Sequence, residues 1–293
     1  MNSYDKEVIF HLPGAFEYYQ LYMNLLQLIE ENPDILKDNV KIGSIYGSPS
    51  GIWNGGRTMP TSMMLSRQQL EKIKENYMKY KVPVRFTFTN CLVQGQHLND
   101  AYCNMILKTF ATGNNDIICN SPLLEEKIRN EYGNIYKYIS STTKRLNNAD
   151  SQMKELEKNY DIIVLDYDFN KNFTFLEQIK NKEKCELLCN AVCKPNCPLR
   201  KLHYERMSLF QLEGRDEIAM KCPDSNKRFW EVKDKNPTFI SREDINNIYS
   251  PMGFQHFKLE GRTAAPYDLI EILAYYLIKP QYEIEVRERL ISL

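Results

Sequence analysis

The sequence predicts a (β/α)8 barrel, the TIM-like α/β fold in which eight parallel strands close around a core and helices surround them. Short apolar segments typical of strands alternate eight times with segments of helical periodicity. The 293 residues are enough for one such barrel, which typically needs ~250. Polar residues also stand where the predicted strands end, and the sites of these barrels lie at that end. The alternative, an open doubly wound sheet, more often has five or six strands.

The predicted strands are short and mostly apolar. In chain order they span 7–11, 39–46, 84–89, 116–119, 136–141, 161–166, 186–192 and 256–260. The predicted helices carry apolar residues at helical spacing. They span 16–31, 66–80, 98–110, 123–132, 150–160, 174–181, 267–278 and 282–293. Residues 194–253 lack strong periodicity, so we expect one barrel domain, 1–293, with an elaborated loop before the last strand.

The composition excludes several classes of partner. Acidic and basic residues balance at 38 each, so no global field recruits nucleic acid or an anionic membrane. The polar N-terminus is unlike a signal peptide, and no apolar run approaches the ~20 residues of a membrane span. We therefore expect a cytoplasmic protein without a membrane partner. Clustered cysteines in the cytoplasm indicate metal binding or catalysis rather than structural disulfides.

Half of the eight cysteines lie within residues 185–197. Prolines 195 and 198 end the preceding strand, so Cys193 and Cys197 are expected on one turn. Cys222 follows at the end of a polar loop. Thiolates favour zinc or iron–sulfur clusters over hard cations. The pattern predicts a soft metal site with Cys193, Cys197 and Cys222 as ligands, whereas Cys103, within a helical pattern, is expected to be a core residue.

The fourth ligand has two candidates. Cys91 follows the third predicted strand and would lie at the barrel face that carries the site. Cys189 lies four residues before Cys193, and the alternation of side chains along a strand leaves its direction open. Cys91 is the preferred candidate.

Other candidate site residues also follow predicted strands. They are Asn90 and Asn190 as cofactor-binding residues, and Asp166, Glu260 and Arg262 as catalytic residues. A glycine-rich loop, 47–57, adds Arg57, whose guanidinium could bind a carboxylate or a phosphate. This loop has neither the G-x-G-x-x-G nor the G-x-x-x-x-G-K-[ST] spacing of nucleotide-binding loops. It is equally well explained as a flexible lid anchored by Trp53. Glu260 and Arg262 could equally form a salt bridge that closes the barrel.

Residues 257–262, Phe-Lys-Leu-Glu-Gly-Arg, resemble the Phe-Lys-Ile-Glu-Gly-Arg signature of the collagenase-like peptidase family. Residues 190–203 resemble the cysteine segment of its more divergent barrel members. That family includes proteins for RNA hydroxylation and for oxygen-independent ubiquinone hydroxylation. The resemblance implies a [4Fe–4S] cluster, with zinc as the alternative, at Cys193, Cys197, Cys222 and Cys91.

By the same resemblance, the protein would assist an oxygen-independent hydroxylation or related modification. Its substrate would be an aromatic small molecule or RNA, and a partner protein of the same family is possible. Two alternatives remain open. The first is a peptidase of that family, although the sequence contains no recognisable nucleophile–base pair and no G-x-S-x-G motif. The second is a non-enzymatic metal-binding partner protein.

Overall fold

Eight parallel strands form a closed barrel in which each strand pairs with the next along the chain and the last pairs with the first. The computed structural model describes residues 6–55, 64–214, 227–261 and 264–291. The strands are β1 (Val8–Pro13), β2 (Val40–Gly47), β3 (Val84–Phe88), β4 (Asp116–Cys119), β5 (Lys137–Ser140), β6 (Ile162–Val164), β7 (Cys185–Leu188) and β8 (His256–Lys258). The predicted fold class is confirmed.

Helices surround the barrel. They are α1 (Tyr19–Glu31), α2 (Arg67–Lys79), α3 (Ala101–Phe110), α4 (Pro122–Tyr132), α5 (Ala149–Leu156), α6 (Phe173–Gln178), α7 (Arg200–Glu213), α8 (Phe229–Val232), α9 (Arg242–Asp244), α10 (Ser250–Met252), α11 (Pro266–Leu277) and α12 (Glu283–Ile291). A π-helical turn, Ile245–Tyr249, joins α9 to α10. Ser66 caps α2, and Asp100 and Ser121 cap α3 and α4 in the same way. None of the described helices combines the length and apolar character needed to cross a bilayer.

The strand sequences alternate because the two faces of the barrel wall have different neighbours. Outward side chains such as Phe10, Phe86 and Phe257 pack against the helices in one large core. A smaller apolar cluster inside the barrel includes Tyr46 and Ile118. The outward faces of β1 and β3, for example, are apolar throughout, and this alternation makes such strands detectable in the sequence.

The structure corrects two details of the sequence-based prediction. Residues 194–253 lie between β7 and β8 as expected, but they contain helices α7 to α10 rather than only loop. The buried face of α7 includes Arg200 and Ser208, and this polar content hides the apolar periodicity. The strand predicted over 186–192 ends at Leu188, so Asn190 and Cys193 lie in the connection beyond it.

A buried ionic network crosses the barrel interior. The Arg85 guanidinium on β3 donates to Glu186 on β7, and its Nε donates to Asp116 on β4 at 3.0 Å. Lys258 on β8 adds an ammonium 3.5 Å from Glu186, and this ammonium also lies 4.1 Å from the centre of the Tyr46 ring. Burial alone would raise the pKa of Glu186, but the positive charges of Arg85 and Lys258 outweigh it and lower that pKa. Glu186 is thus an ionised carboxylate at neutral pH.

Two histidines complete this interior layer. His11 Nδ1 forms a 2.8 Å hydrogen bond with Ser44, and His11 Nε2 forms one of 2.9 Å with His256 Nδ1. Burial lowers the pKa of His11 well below its usual value, and the Arg85 charge adds to this. Burial also lowers the pKa of His256, although the Glu186 charge opposes the shift. Both rings are therefore neutral in the folded protein near pH 7.

Replacing His256 with Gln should reduce the pH dependence of the free energy of unfolding between about pH 7.5 and pH 5.5. Because folding lowers the pKa of His256, the unfolded chain binds a proton that the folded chain does not, so stability falls as the pH drops below the ordinary value of 6.5. Denaturant unfolding at a series of pH values should show a slope reduced by up to one proton, about 1.4 kcal/mol per pH unit.

Phe257→Leu provides the control, because it alters the outward face of the same strand without removing a titratable group. It should lower stability by a similar amount at each pH. An unchanged slope in the His256 variant would show that this histidine does not couple protonation to folding.

Candidate functional site

The segment after β7 and the segment after β8 meet at the carboxyl end of the barrel. Each carries candidate site residues predicted from the sequence. The Asn190 amide donates to the Glu260 carbonyl at 2.8 Å, and the Glu260 N–H donates to the Asn190 side-chain oxygen at 2.7 Å. The Val192 N–H also donates to the Glu260 carboxylate at 3.1 Å. These three bonds join the connection after β7 to the end of β8. They fix the Glu260 side chain beside the segment that carries the cysteines.

An arginine clamp, defined here as Arg145 and Arg200 with Asp166 and Asp168, holds the cysteine turn. Each aspartate forms ion pairs with both arginines, and the Asp168 pairs measure 2.8 and 3.0 Å. Arg200 also donates to the Lys194 carbonyl at 3.0 Å.

The aspartates of the clamp reach the cysteine turn as well. The Asn196 N–H donates to Asp168 at 3.0 Å. Asn196 has a φ of 51°, a left-handed conformation that asparagine tolerates better than most residues. The turn that carries Cys193 and Cys197 is therefore held by buried charges from the segments after β5 and β6 and from α7.

The Cys193 thiol lies in a polar environment at the barrel mouth. Burial raises its pKa, while the Tyr167 hydroxyl and the Arg200 guanidinium oppose that shift. The charge of Cys197 also acts on it. Burial raises the pKa of Tyr167 and of Tyr204 as well, and Glu260 adds to both shifts. The mouth thus combines a thiol, a carboxylate and a cation with two phenols that remain protonated at neutral pH.

The structure uses several predicted site residues for support. The Asn90 amide donates to the carbonyls of Ile52 and Ser208, and its oxygen accepts from the Leu92 N–H. Asn190 is similarly occupied by its bonds to Glu260, and Asp166 is paired with the two arginines of the clamp. Their predicted cofactor-binding and catalytic roles remain predictions.

Glu260 lines a pocket at the mouth, and its predicted catalytic role remains a prediction. Arg57, Cys222 and Arg262 lie outside the described residues.

The predicted metal ligands are distributed unevenly at this end of the barrel. Cys193 and Cys197 are half-buried on one turn, while Cys91 binds Ser208 through both its N–H and its thiol. Cys189 is fully buried in the outer core, and Cys103 is a core residue of α3 as expected. Among the residues that the structure describes, no three Cys, His, Asp or Glu side chains are placed to hold one metal. The described residues do not by themselves fit a four-thiolate cluster.

The first part of the glycine-rich loop is packed against β3. Trp53 is fully buried, and its Nε1 donates to the His97 carbonyl at 2.8 Å. A Cβ on Gly55 would lie 2.3 Å from the backbone of Thr89 and Asn90, so only glycine allows this close approach. The predicted tryptophan anchor is present, and residues 47–55 form a fixed wall of the mouth.

The ionic network of the barrel interior was not predicted from the sequence. Arg85, Glu186 and Lys258 each lie between apolar neighbours in a predicted strand. A charged residue at a position that alternates with core residues would have indicated an inward-facing group. Only the structure shows that these charges, from three strands, meet.

The comparisons with known proteins agree with the fold and with the family resemblance. No family model matches the chain. The chain is 24% identical over 264 residues to the uncharacterized protease MJ1657 of Methanocaldococcus jannaschii. The aligned region covers 86% of this chain and 76% of that protein. Among solved structures, that of the U32 peptidase Mk0906 superposes with a TM-score of 0.55 at 14% identity. That match covers 88% of this chain and 94% of the other, and it shows a shared fold.

Arg200→Met should destabilise the protein and loosen the cysteine turn. The substitution leaves Asp166 and Asp168 to share Arg145 as their one remaining arginine of the clamp. Breaking a buried ion pair typically costs about 3–5 kcal/mol. Hydrogen exchange of the backbone N–H groups in residues 193–199 should rise, while exchange in the barrel strands stays slow. Arg206→Met, on the exposed side of the same helix, is the control. Equal protection of the turn in both variants would contradict its dependence on the clamp.

Proposed function

We propose that the chain is a divergent member of the collagenase-like, or U32, peptidase family and that its barrel mouth binds and hydrolyses polypeptide. One observation carries the proposal. The family signature at β8 and the cysteine segment after β7 are joined by the bonds of Asn190 and Val192 to Glu260. The similarity to an archaeal protease and the fold shared with a U32 peptidase support the same conclusion.

We assign the mouth residues distinct roles in the proposed peptide hydrolysis. Glu260 is the general base that takes a proton from the attacking water, since its carboxylate is oriented by the Val192 N–H. Tyr167 and Tyr204 keep their protons at neutral pH and can donate hydrogen bonds to the oxyanion that develops on the peptide carbonyl. The buried Arg200 guanidinium, 3.9 Å from the centre of the Tyr167 ring, favours negative charge at that position.

A thiolate-bound metal site is the second candidate, and one observation favours it. Cys193 and Cys197 share a turn that buried charges fix, and their thiols interact electrostatically. With further thiolates, this pair could hold the [4Fe–4S] cluster or zinc that the family resemblance implies. A cluster would supply electron transfer for the modification of an aromatic molecule or RNA. A zinc-bound form without activity would correspond to a partner protein.

Glu260→Gln should lower the rate of peptide hydrolysis by about 100-fold or more, because the amide cannot accept the proton of water. The fold should persist, since the glutamine oxygen can still accept from the Val192 N–H. Hydrolysis of fluorescein-labelled casein and gelatin provides the assay, and the melting temperature reports folding. Glu231→Gln, at an exposed position, removes the same charge and should retain activity. A Glu260 variant that is less stable but fully active would assign Glu260 a structural role.

The metal candidate predicts a specific pattern of iron or zinc content. After anaerobic reconstitution with iron and sulfide, or with zinc alone, Cys193→Ala and Cys197→Ala should each lower the bound metal measured by elemental analysis. Cys91→Ala should lower it too. Cys189→Ala and Cys103→Ala should not, because both thiols face the outer core. Wild-type protein that retains neither metal would eliminate this candidate and leave the peptidase proposal unaffected.

A further inference from the structure

A pocket of about 320 Å3 opens beside Glu260 at the barrel mouth. The ends of β7 and β8, the start of α11 and the short helix α8 enclose it. Its walls include the apolar side chains of Val192, Phe229, Val232 and Ile272. Two carboxylates, Glu260 and Asp268, also line it, and Lys227 and Arg228 are exposed at its rim. The pocket is continuous with the proposed catalytic carboxylate.

Asp268 has an unusual environment for a carboxylate. Its residue is only 8% exposed, yet among the described residues it has neither a hydrogen bond nor an ion pair with another side chain. Burial raises its pKa, and Arg228 only partly opposes this. An acidic residue in the first turn of α11 is favoured by the helix dipole. The dipole explains why an acid is tolerated there, but it does not explain why the acid is buried without a partner.

We propose that this pocket is a binding subsite for a basic side chain, lysine or arginine, of the polypeptide substrate. The inference rests on the proposed peptidase function and assigns its substrate preference. The methylene groups of a basic side chain would pack against Phe229 and Val232, and its cationic end would reach Asp268 beside Glu260. A ligand cation would supply the partner that Asp268 lacks.

The charges already present are compatible with a cationic occupant. The Arg228 guanidinium lies 5.3 Å from the centre of the Tyr267 ring, and Asp268 forms no ion pair with it. Arg228 is exposed, so solvent screens its charge more than that of Asp268, whose residue is mostly buried. Glutamine or a neutral side chain of similar size would leave Asp268 desolvated and unpaired, which is the basis for discrimination between substrates.

Peptide binding tests the subsite without requiring catalysis. The full-length protein is titrated at low salt with acetyl-Ala-Lys-Ala-amide, with its glutamine analogue and with its glutamate analogue, and binding is measured by calorimetry. The lysine peptide should bind about tenfold more tightly than the glutamine peptide, and the glutamate peptide should bind weakest. Asp268→Asn should abolish the preference for lysine. Glu231→Gln should retain it, since that residue is exposed and a glutamine preserves its capping bond to the Arg228 N–H.

The outcomes separate this inference from the proposed function. Equal binding of the three peptides to the wild-type protein would overturn the subsite, and this arm needs no variant. A lysine preference that survives Asp268→Asn in a folded protein, with an unchanged melting temperature, would overturn it as well. Lysine-selective binding without hydrolysis of any peptide would support the subsite and reject the peptidase proposal. Hydrolysis of peptides without a preference for lysine would support the peptidase proposal and reject the subsite.

Discussion

The ion pair between Arg85 and Glu186 is the interaction on which the rest of the barrel depends. It connects β3 to β7 across the interior, and Asp116 and Lys258 bring β4 and β8 into the same network. Charges removed from water cost several kcal/mol each unless they are paired, so the network is stable only when these four strands keep their register. A shift of one residue in any of them would turn its charge toward the outer core. Strand register is thus set by charge pairing as well as by apolar packing.

The mouth inherits its geometry from this register. Glu186 and Lys258 lie in the strands whose ends carry Asn190 and Glu260, four and two residues further along the chain. Because β7 and β8 pair in register, the Asn190 amide and the Glu260 backbone meet beyond the ends of these strands. The connection after β7 and the segment after β8 therefore come into contact. The proposed catalytic carboxylate therefore lies two residues beyond the end of β8, beside the strand pairing that stabilises the barrel.

The sequence predicted those features that depend on one strand or one helix at a time. Apolar residues that alternate along the strands make a period visible, so the eight-stranded barrel could be predicted. Glu260 was chosen as a candidate site residue because it lies at the end of the last predicted strand. Features that depend on contacts between distant strands could not be predicted, because nothing in the local pattern at Arg85 indicates that its partner is Glu186. Helix α7 was missed for a related reason. Its buried face includes Arg200, which belongs to the helix core only because aspartates from β6 accept its charge.

The carboxylates at the mouth differ in the partners that the described residues provide for them. Asp166 and Asp168 are each neutralised by two arginines, so their charge is committed to holding the cysteine turn. Glu260 accepts a backbone N–H, and Asp268 has no ion pair within the described part of the chain. Under the proposed function, the aspartates after β6 are already paired, whereas Asp268 would accept a cationic side chain of a polypeptide bound beside α11. The scissile bond of such a polypeptide would lie toward Glu260, which lines the same pocket.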